Sequence, residues 1–154
     1  MSTLKYRSIA ITFSEVPDEV SLCINITNCP IKCKGCHSPE LWEDTGKPLD
    51  LQHLTDMLDS NTGITCVCIL GGDADTVEVD SVAESIREYY PKLKIAWYSG
   101  QRTLSKNINL LNFDYIKLGP YRKNMGPLTS RTTNQKFYKV KDGLLVDITY
   151  KFWK

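Results

Sequence analysis

The chain has 154 residues, 42% apolar and 24% charged, a balance that excludes intrinsic disorder and fits an ordinary globular protein. Its 19 Lys and Arg against 18 Asp and Glu leave a net charge of +1, so no general electrostatic attraction to nucleic acid or to a membrane surface is expected. No apolar run is long enough to span a bilayer and residues 1–5 carry no signal-peptide core, so the expectation is a single domain over residues 1–154, cytoplasmic, with neither nucleic acid nor membrane as a partner.

Residues 6–13 and 20–27 read as two strands joined through the turn-rich Val16-Pro17-Asp18, the second with Val20, Leu22, Ile24 and Ile26 on one face. Cys23 falls on the other face and reads as a small, half-buried strand residue. The second strand runs directly into Cys29-Pro30-Ile31-Lys32-Cys33-Lys34-Gly35-Cys36. Three thiols this close together grip one inorganic centre if the backbone wraps tightly around it. A ferredoxin-type run supplies a thiolate to each iron of a 4Fe-4S cubane, whereas Cys-x3-Cys-x2-Cys supplies three and leaves one iron open to a substrate or cofactor. The competing reading is a zinc knuckle, because His37 follows Cys36. Adjacent residues rarely fill two corners of one tetrahedron, however, and only His53, Cys66 and Cys68 remain to complete such a set.

Pro39, Gly46 and Pro48 keep the chain in loop until Asp50 offers an N-cap for a helix with Leu51, Leu54 and Leu58 on one side. His53, in its first turn, reads as a surface residue. Residues 64–70 form an almost unbroken apolar run, the pattern of a strand buried on both faces, with Cys66 and Cys68 as core residues on one of them. The run ends at Gly71-Gly72-Asp73. The helix expected over 78–90 has Asp75 as cap, Glu78 at the capping-box offset, Val79, Val82, Ala83, Ile86 and Tyr90 at helical spacing, and Pro91 as its stop. A strand over 93–98, a weaker helix over 103–111 and a strand over 115–118 ending at Gly119-Pro120 follow. In the tail, 137–140 and 144–150 flank the hairpin signal Asp142-Gly143.

Alternating strands and helices predict an α/β fold with a parallel sheet whose ligands gather at the carboxyl ends of the strands. A complete eight-fold barrel takes about 250 residues, so the expectation is an incomplete, laterally open parallel β/α barrel with a short C-terminal antiparallel hairpin.

Cys-x3-Cys-x2-Cys resembles the signature of radical S-adenosylmethionine (SAM) enzymes, whose open iron chelates the amino and carboxylate groups of SAM. Gly71-Gly72-Asp73 resembles the Gly-Gly-Glu motif of those enzymes, with the shorter Asp73 where they usually have Glu. Glycines there let backbone carbonyls approach the chelated amine. Gly35 stands where many members have an aromatic ring that packs on adenine. A closer resemblance, covering most of the chain, is to the activating-subunit family of anaerobic ribonucleoside-triphosphate reductase. It rests on Asn28-Cys29-Pro30, then His37-Ser38-Pro39-Glu40-Leu41-Trp42, Gly71-Gly72-Asp73, Tyr98-Ser99-Gly100, residues 114–121 and Thr133-Asn134-Gln135.

This resemblance implies a barrel of the radical SAM type, a 4Fe-4S cluster on Cys29, Cys33 and Cys36, and SAM held by Gly71, Gly72 and Asp73, with Ser99 and Gly100 as ribose or carboxylate contacts. It implies reductive cleavage of SAM by an electron from an external one-electron donor, and a glycyl radical installed on the large subunit of the reductase. A radical SAM enzyme acting on a free metabolite, and an iron-sulfur electron-transfer protein without SAM chemistry, share the cysteines and stay open as alternatives.

Overall fold

A computed structural model describes residues 4–27 and 46–153. Its core is one sheet of eight strands: β1 (Lys5–Thr12), β2 (Ser21–Ile26), β3 (Lys47–Pro48), β4 (Cys66–Leu70), β5 (Lys94–Tyr98), β6 (Tyr115–Leu118), β7 (Lys136–Lys141) and β8 (Leu144–Asp147), in the order β3-β1-β2-β4-β5-β6-β7-β8. Two α-helices, α1 (Leu51–Asp59) and α2 (Thr76–Tyr89), accompany it among the described residues. None of the described helices is long and apolar enough to cross a membrane.

The expected parallel β/α barrel is overturned. Only β2, β4, β5 and β6 run parallel to one another. On one side β1 pairs antiparallel with both β2 and β3, and on the other β7 pairs antiparallel with β6 and β8, so the sheet is mixed and open. The helix expected over 103–111 is absent as well, leaving only a short 3-10 turn at Leu110–Asn112. Polar side chains outcompete helical pairing in that segment: the Asp80 carboxylate accepts the backbone N–H of Asn109 at 2.7 Å, Asn109 Oδ1 accepts from Leu111 N, and Ser105 Oγ accepts from Asn107 N.

The two helices form where local chemistry directs them. Asp50 accepts from His53 N at 2.9 Å and Asp75 from Glu78 N at 3.2 Å, each satisfying a donor that a helix start leaves unpaired. Leu54, Met57 and Leu58 of α1 and Val79, Val82, Ala83 and Ile86 of α2 then bury against one face of the sheet. Across the four parallel strands that face carries Ile24, Ile69, Trp97 and Ile116 in register, and the opposite face carries Cys23, Cys68, Ala96 and Tyr115. The second face is closed by Val16, Leu128, Phe137 and Ile148. Both faces being covered explains why the inner strands are apolar throughout rather than alternating.

At the amino ends of the parallel strands, Glu19 is 7% exposed and accepts from Thr65 Oγ1 (2.8 Å), Lys94 Nζ (3.0 Å) and Tyr115 OH (3.2 Å). A buried carboxylate with three donors ties the starts of β4, β5 and β6 together, a structural role at the end of the sheet away from the ligand rim.

Candidate functional site

The rim is assembled at the carboxyl ends of β2, β4 and β5. Cys29, Cys33 and Cys36, with the string from His37 to Trp42, lie outside the described residues. Both flanks of residues 28–45 are described, and both are tied to the start of β1. Thr27 N donates to Lys5 O at 2.9 Å, and Leu49 N donates to Leu4 O at 2.8 Å. Because β1 is antiparallel to β2, its start lies beside the end of β2, with Tyr6 opposite Ile26. The described residues on both sides of 28–45 therefore lie at the ligand rim.

The Gly71-Gly72 turn occupies the same place. A Cβ built on Gly71 would meet Ile26 at 3.4 Å. Gly71 N donates to Tyr98 O at 3.0 Å and Gly71 O accepts from Trp97 Nε1 at 2.6 Å, so the turn is pinned to β5 on both sides. Gly72 is buried against α2, and its carbonyl accepts from Asp75 N at 3.0 Å.

Asp73 closes the arrangement. Its Oδ1 accepts from Ser99 Oγ at 2.5 Å and its Oδ2 from Gly100 N at 2.8 Å. Ser99 is 1% exposed and its hydroxyl oxygen also accepts from Gln101 N at 3.0 Å. Asp73 with Ser99 and Gly100, and Gly71 with Trp97 and Tyr98, thus link the turn Gly71-Gly72-Asp73 after β4 to β5 and the turn that follows it. Ser99 and Gly100 spend these donors on Asp73. A carboxylate has about four acceptor sites, so a bound amine still finds lone pairs on it.

Asp73→Ala is expected to orphan the Ser99 hydroxyl and the Gly100 N–H, at a cost of roughly 1–3 kcal/mol for a buried donor left unpaired. Urea denaturation measures the loss, and hydrogen exchange of the Gly100 amide should accelerate. An unchanged Gly100 exchange rate would show that the Asp73 bond does not hold the turn.

Donor chemistry elsewhere in the chain bears on which residues hold a metal. Cys23, Cys66 and Cys68 are free and buried. Burial pushes the Cys66 thiol up to about 12 and that of Cys68 well above the usual thiol range, while a hydrogen bond from Cys68 holds Cys23 lower. Groups that resist ionisation there make poor thiolate ligands. Among the described residues no cluster of His, Cys, Asp and Glu has the arrangement to hold a metal ion. His53 hydrogen-bonds through Nδ1 to Asp50 at 2.7 Å on the surface of α1. Among the described residues, then, no set of side chains is suited to hold a thiolate-bound cluster.

Comparison with protein families decides the class. Residues 20–126 match the family described as 4Fe-4S single cluster domain, more than half of the chain. This chain belongs to that family. It therefore carries a 4Fe-4S cluster-binding domain, of a kind found in radical SAM-related proteins. No curated protein and no solved structure matches the chain significantly.

One feature of the site escaped the sequence reading. On the sheet face away from the helices, a cavity of about 460 Å³ lies at the same rim, lined by Glu15, Tyr98, Lys117, Tyr121, Gln135 and Phe152 among others. Lys117 Nζ donates to the carbonyls of Gly119 (2.9 Å) and Ser99 (3.3 Å), and the Tyr98 hydroxyl donates to Glu15 O. Burial raises the Glu15 carboxyl above its ordinary range, with Lys117 pulling the other way. Glu15 comes from the turn between β1 and β2 and Phe152 from the last residues, a meeting that no local pattern announces.

Proposed function

We propose that this protein is a radical SAM activase: holding a 4Fe-4S cluster on Cys29, Cys33 and Cys36, it cleaves SAM reductively and generates a glycyl radical on the large subunit of anaerobic ribonucleoside-triphosphate reductase. The observation that carries the reading is the pair of linked turns holding Gly71, Gly72, Asp73, Ser99 and Gly100, directly beside the strand end that precedes the cysteine segment. A cubane with one open iron, when bound, supplies a single electron taken from an external one-electron donor.

The residues of the chain do the positioning. The carbonyls of Gly71 and Gly72 each accept one internal hydrogen bond and keep a second lone pair for the N–H groups of SAM. Ser99 and Gly100 hold the Asp73 carboxylate in one orientation before SAM arrives, which lowers the ordering cost of binding. SAM held by Gly71, Gly72 and Asp73 would, once reduced by one electron, supply the 5′-carbon that takes a hydrogen atom from glycine Cα, with methionine and 5′-deoxyadenosine as the products. Glycine suits this transfer because it lacks a side chain and lets a backbone carbon come close. The cavity beneath Tyr98 and Lys117 offers room for an extended segment at the same rim.

Electron paramagnetic resonance on a mixture of reduced protein, SAM and reductase tests the reading, with glycine deuterated at Cα. The expected signal is a doublet that collapses on deuteration, with deuterium recovered in 5′-deoxyadenosine. SAM cleavage with neither signal, on competent reductase, would instead favour an enzyme acting on a free metabolite.

A further inference from the structure

Just past the Ser99-Gly100 turn, the rim holds a second cavity, of about 370 Å³, which none of the chemistry above uses. Arg102, Arg122 and Lys136 line it, together with Asn134, Leu118 and Met125, and no carboxylate does. In a chain whose charges nearly cancel, three cations around one hollow are a local excess. Arg87, Lys94 and Lys151 are ion-paired with Asp114, Glu19 and Asp18, and His53 with Asp50, whereas among the described residues no ion pair involves Arg102, Arg122 or Lys136. Lys136 does feel Asp147, whose carboxyl it helps to lower, but Asp147 stands outside the lining.

The same lining has an apolar part, Leu118 and Met125, beside the three cations. The ligand chemistry that suits it joins multiple negative charge to a flat or apolar moiety.

We propose that this cavity binds a nucleoside polyphosphate: the phosphates pair with Arg102, Arg122 and Lys136, and the base rests against Leu118 and Met125. Guanidinium groups match phosphate oxygens with paired donors. An acidic peptide also carries multiple negative charge, but a concave cavity of this volume is the form of a small-molecule site rather than of a flat protein-docking face. The site does not depend on the SAM chemistry proposed above.

Isothermal titration of the anaerobic, cluster-loaded protein with ATP, inorganic triphosphate, adenosine and hexaglutamate tests it. ATP should bind more tightly than triphosphate, adenosine should not bind detectably, and ATP affinity should fall as salt is raised. Arg102→Ala and Arg122→Ala, both outside the hydrogen-bonded core, should each weaken ATP roughly tenfold or more, the loss expected for a charge-assisted hydrogen bond. The proposal is overturned if ATP fails to bind, if the double arginine variant binds it unchanged, if saturating SAM displaces it, or if hexaglutamate binds more tightly than ATP.

Discussion

Replacing any one of Cys29, Cys33 or Cys36 by Ala is expected to lower the iron of anaerobically reconstituted protein from about four atoms per chain, the content of one cubane, to almost none. Three thiolates already leave one iron without a protein ligand, so a cluster missing a second has too few anchors to persist. The charge-transfer colour should vanish with the iron. The same substitution at Cys23, Cys66 or Cys68 should leave iron and colour intact. Those thiols sit inside β2 and β4, fully or almost fully buried, where ionisation of Cys66 and Cys68 is opposed by burial. Cys68→Ala should cost only about 1 kcal/mol, for a small void among Tyr98, Phe137 and their neighbours. Iron quantitation on the six single variants separates the two sets. Loss of the cluster from Cys68→Ala with retention in Cys33→Ala would relocate the metal centre.

Gly72→Ala is expected to produce a large loss of stability, and with it the loss of an ordered rim. Gly72 has φ of +96°, a backbone conformation that a side chain disfavours, and a Cβ there would lie 2.5 Å from Val79 Cγ2. Val79 is fully buried in the first half of α2 and is stiff at χ1, so it has little freedom to retreat. Strained backbone and overpacking each cost about 1–3 kcal/mol, so a total of roughly 2–6 kcal/mol is expected. For a chain of this size that lowers the melting temperature by roughly 4–24 °C. Gly71→Ala shares the positive φ, at +104°, but its Cβ would meet Ile26 at an acceptable 3.4 Å, so it should cost only about 1–2 kcal/mol. Thermal melts of the two variants compare them directly. Equal melting temperatures would show that Val79 yields. The resemblance gave Gly72 the task of letting a backbone carbonyl approach a chelated amine; the packing of α2 is a further reason for a glycine there.

What could be read without coordinates was local. Asp50 and Asp75 announce helix starts through their offsets from His53 and Glu78, and Asp142-Gly143 announces a hairpin whose two residues have φ of 54° and 76°. Strand 115–118 falls where its apolar run and the following glycine put it. Pairing direction is another matter. Nothing in the period-two pattern of β1 or β7 says that each flanks the parallel strands in the opposite sense, and that choice turns a supposed barrel into an open mixed sheet. The spacing of Leu104, Ile108 and Leu111 imitates a helix face, but Asp80 and Thr76 of α2 bind Asn109 and Ser105 across the gap and hold the segment in turns.

At the rim the difference is similar. The glycines after β4 and the serine after β5 are recognisable one by one, since each follows a buried strand. That Ser99 and Gly100 hand their donors to Asp73 depends on β4 lying beside β5 in the register that sets Leu70 opposite Tyr98. Glu15 and Lys117 were invisible for the same reason. Their meeting at one cavity follows from the chain folding the β1–β2 turn over the sheet, a long-range event with no signature in either segment.

The most direct test of the central claim is SAM turnover by the isolated protein. Cluster-loaded protein, reduced anaerobically by a strong one-electron donor, should convert SAM to methionine and 5′-deoxyadenosine in equal amounts, and Cys33→Ala should produce neither. Protein that holds its full complement of iron, accepts the electron and yet leaves SAM intact would contradict the account, and would mark this chain as an electron carrier.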